Sequence, residues 1–301
     1  MAAAKVGFIG LGKMGRPMTE QLLKAGFEVY VNNRSQGVVQ ELAKQGAKPT
    51  SSPREVTENC DFVLTCLPTV ETVEHVYLGE GGIAEGGKSG QVWIDHSTVS
   101  MATNRKCAQA AQAKGAAFLD APVSGGPGGA QSGTLTIMIG GDPVTVDKAM
   151  PLFQAMGENI KHCGPQTAGT VVKLVNQLLV GIHTAASAEA FVFGVKAGAD
   201  PKVMLDLLGT SFGASRMLNR NVPLMLERKF DPATPVSLIL KDLGLINSLG
   251  LELGTRLPLG ANSLELYKEA KALGFGDNDM AAMVLPAEKL AGVEVVSEQQ
   301  S

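Results

Sequence analysis

Over the first half of the chain, short apolar runs alternate with stretches of helical periodicity. Residues 5–10 read as a buried strand, and 17–25 follow with Met18, Leu22 and Leu23 at helical spacing, closed by Gly26. Residues 27–31 and 38–45 repeat that strand–helix unit, ended by Gly46. Ser52, Pro53 and Glu55 form a capping box that opens a third helix. Further strands are predicted at 61–67, 91–95, 117–121 and 134–140, with helices near 71–78, 101–114 and 143–153. This alternation predicts a mostly parallel sheet covered by helices on both faces.

Past residue 162 the period changes. Residues 166–198 read as one long helix whose polar positions are few, chiefly Lys173, Asn176, Gln177, His183, Ser187, Glu189 and Lys196. So apolar a helix needs cover on most sides. Helices at 215–226, 237–251, 259–272 and 279–290 follow, with Asp200 and Pro201 starting another, and no strand pattern is found after 165. The organisation expected is an α/β domain over 1–164 and an all-helical domain over 165–301, joined by the long interdomain helix. The length of 301 residues suits two domains.

Composition removes several classes of function. With 26 basic against 29 acidic residues, nucleic acid is not an expected partner. No charge-free run of 18 apolar residues occurs, so no membrane span is expected. Cys60, Cys66, Cys107 and Cys163 form no C-x-x-C pair and no cluster with histidine, so neither a metal site nor a disulfide framework is expected. A reducing, cytoplasmic setting is the simplest reading.

Chemistry concentrates at five places. Gly10-Leu11-Gly12-Lys13-Met14-Gly15 follows a strand and opens a helix, the context of a dinucleotide-binding turn, which makes the first domain Rossmann-type. Gly10 permits the turn, Gly12 the approach of a pyrophosphate and Gly15 close helix–strand packing. At the end of the second strand, where an NAD site usually has an acid, stand Asn32 and Asn33, then Arg34 and Ser35. A neutral amide beside a guanidinium fork favours NADP over NAD, with NAD the alternative. After another strand, Ser124, Gly125 and Gly126 bare backbone N–H groups, a nest for a carboxylate. On the long helix, Lys173, Asn176 and Gln177 at i, i+3 and i+4 share one face, and a lysine in apolar surroundings can exchange a proton near neutral pH. Lys241-Asp242 interrupts an apolar helix and could reach a cofactor or substrate; Phe212, Phe230, Val236 and Leu238 are candidate pocket walls.

Taken together these motifs resemble the β-hydroxyacid dehydrogenase family, which includes 3-hydroxyisobutyrate dehydrogenase, tartronate semialdehyde reductase and the glyoxylate/succinic semialdehyde reductases. The resemblance covers residues 5–296 and rests on four marks in order. These are the run 6–18 with its glycine turn, Asp120 to Gly126, Gly169-Thr170-Val171-Val172-Lys173-Leu174-Val175-Asn176-Gln177, and Lys241-Asp242-Leu243. It implies that Lys173 is the catalytic lysine and that Ser124, Gly125 and Gly126 hold the substrate carboxylate. Leu67-Pro68 would lie near the nicotinamide ribose, Ser97-Thr98 would be a hydroxyl pair beside the nicotinamide, and Lys241 would close over cofactor and substrate. The family asparagine one turn past the lysine is represented by Asn176 or Gln177, and which of them serves is open. Met101 stands where the family often has proline.

The implied reaction is hydride exchange between NADP(H) and a small β-hydroxy acid or its semialdehyde, without metal. Leu290-Ala291-Gly292-Val293-Glu294-Val295 looks most like the tartronate semialdehyde branch, so 2-hydroxy-3-oxopropionate reductase is the leading expectation. 3-Hydroxyisobutyrate dehydrogenase and glyoxylate/succinic semialdehyde reductase are the alternatives, with a non-catalytic dinucleotide-binding scaffold as an alternative of another class. A homodimer or homotetramer is expected, because the long helix is too apolar for one small domain to cover.

Overall fold

A computed structural model describes residues 4–297. The chain forms two compact units, Met1–Lys173 and Leu174–Ser301. The strands of the first are β1 (Lys5–Ile9), β2 (Glu28–Asn32), β3 (Lys48–Pro49), β4 (Phe62–Thr65), β5 (Val92–Asp95), β6 (Ala117–Asp120), β7 (Val123–Ser124), β8 (Leu135–Gly140) and β9 (Gly157–Gly164). They make one sheet in the order β3-β2-β1-β4-β5-β6-β8-β7, with β9 on β8. Only the β6–β8 and β7–β8 pairings are antiparallel. The helices between them are α1 (Gly15–Lys24), α2 (Gln36–Ala43), α3 (Pro53–Asn59), α4 (Val70–Leu78), α5 (Ile83–Gly86), α6 (Met101–Ala113), α7 (Gly126–Ser132) and α8 (Pro143–Met156).

Alternation along the strands divides the core. Val6, Phe8, Val31, Leu64 and Ile94 pack with Met18, Leu22 and Phe153 on one face. Ile9, Val63 and Trp93 pack with Val56, Tyr77 and Cys107 on the other. Register then sets the functional edge. Asn32, Ile9, Thr65, Asp95 and Asp120 pair in one row across β2, β1, β4, β5 and β6, so the loops leaving these strands depart from a common line. The strand order reverses between β1 and β4, and such a switch point at the carboxyl ends is where open α/β sheets bind ligands.

The second unit is helical, beginning within α9 (Ala168–Lys196), which starts in the first unit. It continues through α10 (Pro201–Leu208), α11 (Arg216–Leu226), α12 (Val236–Glu252), α13 (Pro258–Ala270) and α14 (Val284–Ala291). By length and composition α9 could cross a bilayer. Its Leu174, Ala188, Phe191 and Val192 are instead buried in the core of the second unit, with Val222, Met225, Leu243 and Tyr267.

Several local expectations change. The strand β9 is absent from the sequence reading because its residues are mostly polar and partly exposed, an edge partner whose pairing with β8 outweighs its weak periodicity. Residues 127–129 belong to α7: Pro127 suits a helix start and Gly133 closes it in the left-handed region at φ 72°. At the third helix Ser52 caps Glu55 N at 3.1 Å, but the Glu55 carboxylate accepts from Ser51 N rather than Ser52 N. Without a proline, α6 is started by the Ser100 hydroxyl, which accepts from Thr103 N at 3.0 Å ahead of Met101. Among the proposed pocket walls Val236 is fully buried in the core and cannot line anything, while Phe212 is fully exposed.

Candidate active site at the carboxyl edge of the sheet

The glycine turn sits between β1 and α1. Gly10 has φ 95°, and a β-carbon there would lie 2.5 Å from Cys66 O and 2.7 Å from the Leu67 side chain. At Gly15 it would lie 1.8 Å from Gly10 O, so only glycine lets α1 pack onto the turn. A β-carbon on Gly12, by contrast, would meet nothing within 4 Å, and no side chain caps α1. The exposed backbone of Gly12 and the uncapped N-terminus of α1 fit a pyrophosphate. Leu11 is buried in the core, so only its backbone is available; Lys13 is exposed.

The end of β2 is arranged differently from the simplest reading. Asn33 Oδ1 accepts from Leu11 N at 3.0 Å, and its Nδ2 donates to Ser35 O at 3.1 Å. Asn33 therefore staples the glycine turn, and both ends of its amide are engaged. Arg34 and Ser35 are exposed, and the Ser35 hydroxyl does not cap α2.

Asp95, fully buried at the end of β5, gathers three donors on one oxygen. Its Oδ1 accepts from Thr65 Oγ1 at 2.7 Å, Ser97 Oγ at 2.6 Å and Ser97 N at 3.1 Å. Its Oδ2 is buried without a hydrogen-bond partner. Burial pushes this carboxyl above the usual range, against the pull of the Ser97 and Thr65 donors. The Ser97 hydroxyl in turn accepts from Leu67 N at 2.9 Å. Ser97 is thus turned inward, and of the expected hydroxyl pair only Thr98 is half-exposed.

Asp120, at the end of β6, uses both oxygens. Oδ1 accepts from Thr167 N at 2.7 Å, and Oδ2 from Thr170 N at 2.7 Å and Thr170 Oγ1 at 2.9 Å. Burial raises this acid too, while these donors oppose the shift. Thr167 lies at φ 74°, rare for a β-branched residue, which is why α9 begins at Ala168 and not at 166. Close packing completes the anchor: a β-carbon on Gly169 would lie 2.2 Å from Met138 O. Lys173, on the next turn, is 7% exposed.

Ser124 is half-buried at the end of β7, and Gly125 and Gly126 have φ 131° and 62°, leaving their backbone unshielded. Leu67 is half-buried and Pro68 exposed beside the glycine turn. In the second unit, Asn176 Nδ2 donates to Gln177 Oε1 at 2.9 Å, and Gln177 Nε2 to Asp242 Oδ2 at 2.5 Å. Lys241 Nζ is 3.0 Å from Asp242 Oδ1. Asp95 and Asp120 were not singled out in the sequence as organising residues, where the signal was a lone acid ending an apolar strand; Asp242, named there beside Lys241, is its ion-pair partner. Among the described residues no cluster of metal-ligating side chains is found.

Residues 5–164 match the NAD-binding domain of 6-phosphogluconate dehydrogenase. Residues 167–287 match the family described as NAD-binding of NADP-dependent 3-hydroxyisobutyrate dehydrogenase. The 2-(hydroxymethyl)glutarate dehydrogenase of Eubacterium barkeri is 38% identical, with 98% of each chain covered. A 3-hydroxyisobutyrate dehydrogenase of Pseudomonas aeruginosa is 39% identical, covering 89% of this chain and 93% of that protein. The solved structure of Mycobacterium tuberculosis 3-hydroxyisobutyrate dehydrogenase with L-serine superimposes with a TM-score of 0.87 at 31% identity, over 95% of this chain and 99% of that one.

Proposed function

The chain belongs to the β-hydroxyacid dehydrogenase family, NAD(P)-dependent oxidoreductases of small β-hydroxy acids and semialdehydes, and from that premise we propose how its own residues divide the work. Lys173 moves the proton at the substrate's alcohol or carbonyl oxygen, and its charge stabilises alkoxide character there. Ser124, with the backbone of Gly125 and Gly126, holds the substrate carboxylate. Asn176 orients Lys173 or the substrate hydroxyl, because the Gln177 amide is engaged at both ends as a bridge to Asp242. Lys241 serves cofactor and substrate from α12. The glycine turn, Thr98 and the Leu67-Pro68 loop hold the dinucleotide, whose nicotinamide supplies or takes the hydride when bound.

What carries this reading is the buried Lys173, one turn beyond a helix start that Asp120 fixes to the sheet edge. Lys173→Ala should lower kcat by about 10²- to 10⁴-fold with dinucleotide affinity nearly unchanged. Retention of more than about a tenth of wild-type kcat would remove the assignment, since that lies well short of the general acid–base range.

Narrower readings follow. A 3-hydroxyisobutyrate-type substrate is favoured over tartronate semialdehyde, since that substrate name recurs in the second family match, in a relative and in the structural neighbour. A panel of small hydroxy acids and semialdehydes, run in both directions, decides it, and no turnover of any member would leave the non-catalytic scaffold. NADP is favoured over NAD through exposed Arg34 and Ser35. A guanidinium–phosphate contact gives a preference of about 10- to 150-fold in kcat/KM, lost in Arg34→Ala. Wild-type values within about threefold, under 1 kcal/mol, would mean that Arg34 does not read the 2′ position. Exposed Val175, Leu179 and Phe193 on α9 also favour a symmetric dimer or tetramer; light scattering at the monomer mass would exclude it. Four free thiols suit a reducing, cytoplasmic setting.

A further inference from the structure

The amide of Leu67 is the first after β4 that no longer joins the sheet. Cys66 N still donates to Ile9 O at 3.1 Å, in continuation of the parallel ladder. Leu67 N donates instead to a side chain, the Ser97 hydroxyl, at 2.9 Å. The loop so held abuts the glycine turn: Cys66 O and the Leu67 side chain occupy the space where a Gly10 β-carbon would be. Its placement therefore fixes one wall of the turn.

The Ser97 hydroxyl can accept from Leu67 N in this way because its own hydrogen is committed elsewhere. It donates to Asp95 Oδ1 at 2.6 Å, and Asp95 is itself steadied by Thr65, whose hydroxyl lies 3.0 Å from the buried Tyr77 hydroxyl. Oδ1 alone does this work, since Oδ2 has no partner. We propose that Asp95 and Ser97 are positioning residues: an acceptor at Asp95 Oδ1 polarises the Ser97 hydroxyl, which pins the Cys66–Pro68 loop against the glycine turn and so sets dinucleotide affinity. Both side chains are turned inward, Asp95 fully buried and Ser97 3% exposed. The relay rests on the reading that the dinucleotide lies along this edge of the sheet.

The relay depends on an acceptor and not on a charge, which separates it from a plain structural role. Affinity for NADPH and NADP+ is titrated by fluorescence on the full chain for wild type, Ser97→Ala, Asp95→Ala and Asp95→Asn. Circular dichroism confirms that each is folded at the working temperature, and kcat is read at saturating dinucleotide. Loss of one partly buried hydrogen bond at the loop should weaken binding about tenfold in Ser97→Ala and Asp95→Ala, with kcat within about threefold. Asp95→Asn keeps the Oδ1 acceptor and should bind within about threefold of wild type. Wild-type affinity in Ser97→Ala, or Asp95→Asn falling as far as Asp95→Ala, overturns the relay. A wild-type protein that binds neither dinucleotide would instead remove the reading of the site on which the relay stands.

Discussion

Asp95 and Asp120 end neighbouring strands and pair directly in register, both buried and both pushed toward the protonated form by burial. They nevertheless do different things. Asp95 uses one oxygen and serves a loop on its own side of the sheet edge. Asp120 uses both, receiving the N–H groups that open α9 and holding Thr167 in the left-handed region. How many lone pairs a buried carboxylate has engaged, more than how deeply it is buried, decides what an amide can replace. The same difference separates the two halves of the proposed machinery, with one acid setting the cofactor wall and the other the helix that carries Lys173.

The largest effect that sharpens this contrast should come from Asp120→Asn. Whichever way the amide turns, its NH₂ faces a backbone N–H, so at least one hydrogen bond to a charged acceptor is lost and two donors are opposed. A loss of about 3 kcal/mol is expected. Trp93, the single tryptophan, is fully buried in the first unit and reports its unfolding. Activity should fall as well, because the start of α9 relaxes from the Thr167 conformation and Lys173 moves with it; misplacement of about 1 Å can remove up to 10²-fold in rate. If Asp120→Asn unfolds at the wild-type midpoint with wild-type kcat, the two acids are equivalent and the contrast is broken.

Periodicity and turn chemistry made the alternating half, the long helix and the glycine turn legible, because in those places local preference and tertiary packing agree. The strand β9 was not legible, since a polar edge strand is defined by its partner. Lys173 and Ser124 stood out as a charge in an apolar helix and a hydroxyl in a glycine run. Asn33 was visible as a residue but not as a staple, and Ser97 as a hydroxyl but not as one facing inward, because direction is set by neighbours 22 and 30 positions away. The acids at the strand ends read as ordinary termini until register placed them side by side.

A middle-sized effect should appear in the pH dependence of Asp95→Asn. Because burial raises the Asp95 carboxyl in the folded protein, the native state holds that proton more tightly than the unfolded chain does. Stability from this group is full below the unfolded value near 3.9 and is lost as pH rises through the folded value. Asparagine has no such dependence and leaves the three donors their acceptor. The variant should therefore be more stable than wild type in neutral or mildly alkaline buffer, by about 1 kcal/mol or 2–4 °C for a unit of this size. The gap should close as pH falls toward 4. Equal stability at every pH, or a variant that is weaker throughout, would mean that the carboxylate has a partner at Oδ2 and that Asp95 resembles Asp120 after all.

The smallest effect tests the same rule with an amide as the starting group. Asn33 has both ends engaged, as Asp120 does, but at a half-exposed site where water can compensate. Asn33→Asp keeps the acceptor for Leu11 N and turns a carboxylate oxygen toward Ser35 O, losing one donor. The stability change should stay below about 1 kcal/mol, since an exposed neutral hydrogen bond contributes at the low end of its range. The new charge beside Arg34 should lower NADP affinity more than NAD affinity, moving the kcat/KM ratio in the direction that Arg34→Ala moves it. The two variants remain distinguishable, because only Asn33→Asp disturbs the staple on the glycine turn and so lowers the melting midpoint as well. A midpoint unchanged in Asn33→Asp, measured by Trp93 fluorescence, would show that Ser35 O needs no partner there and that engagement of both ends matters only where water is excluded.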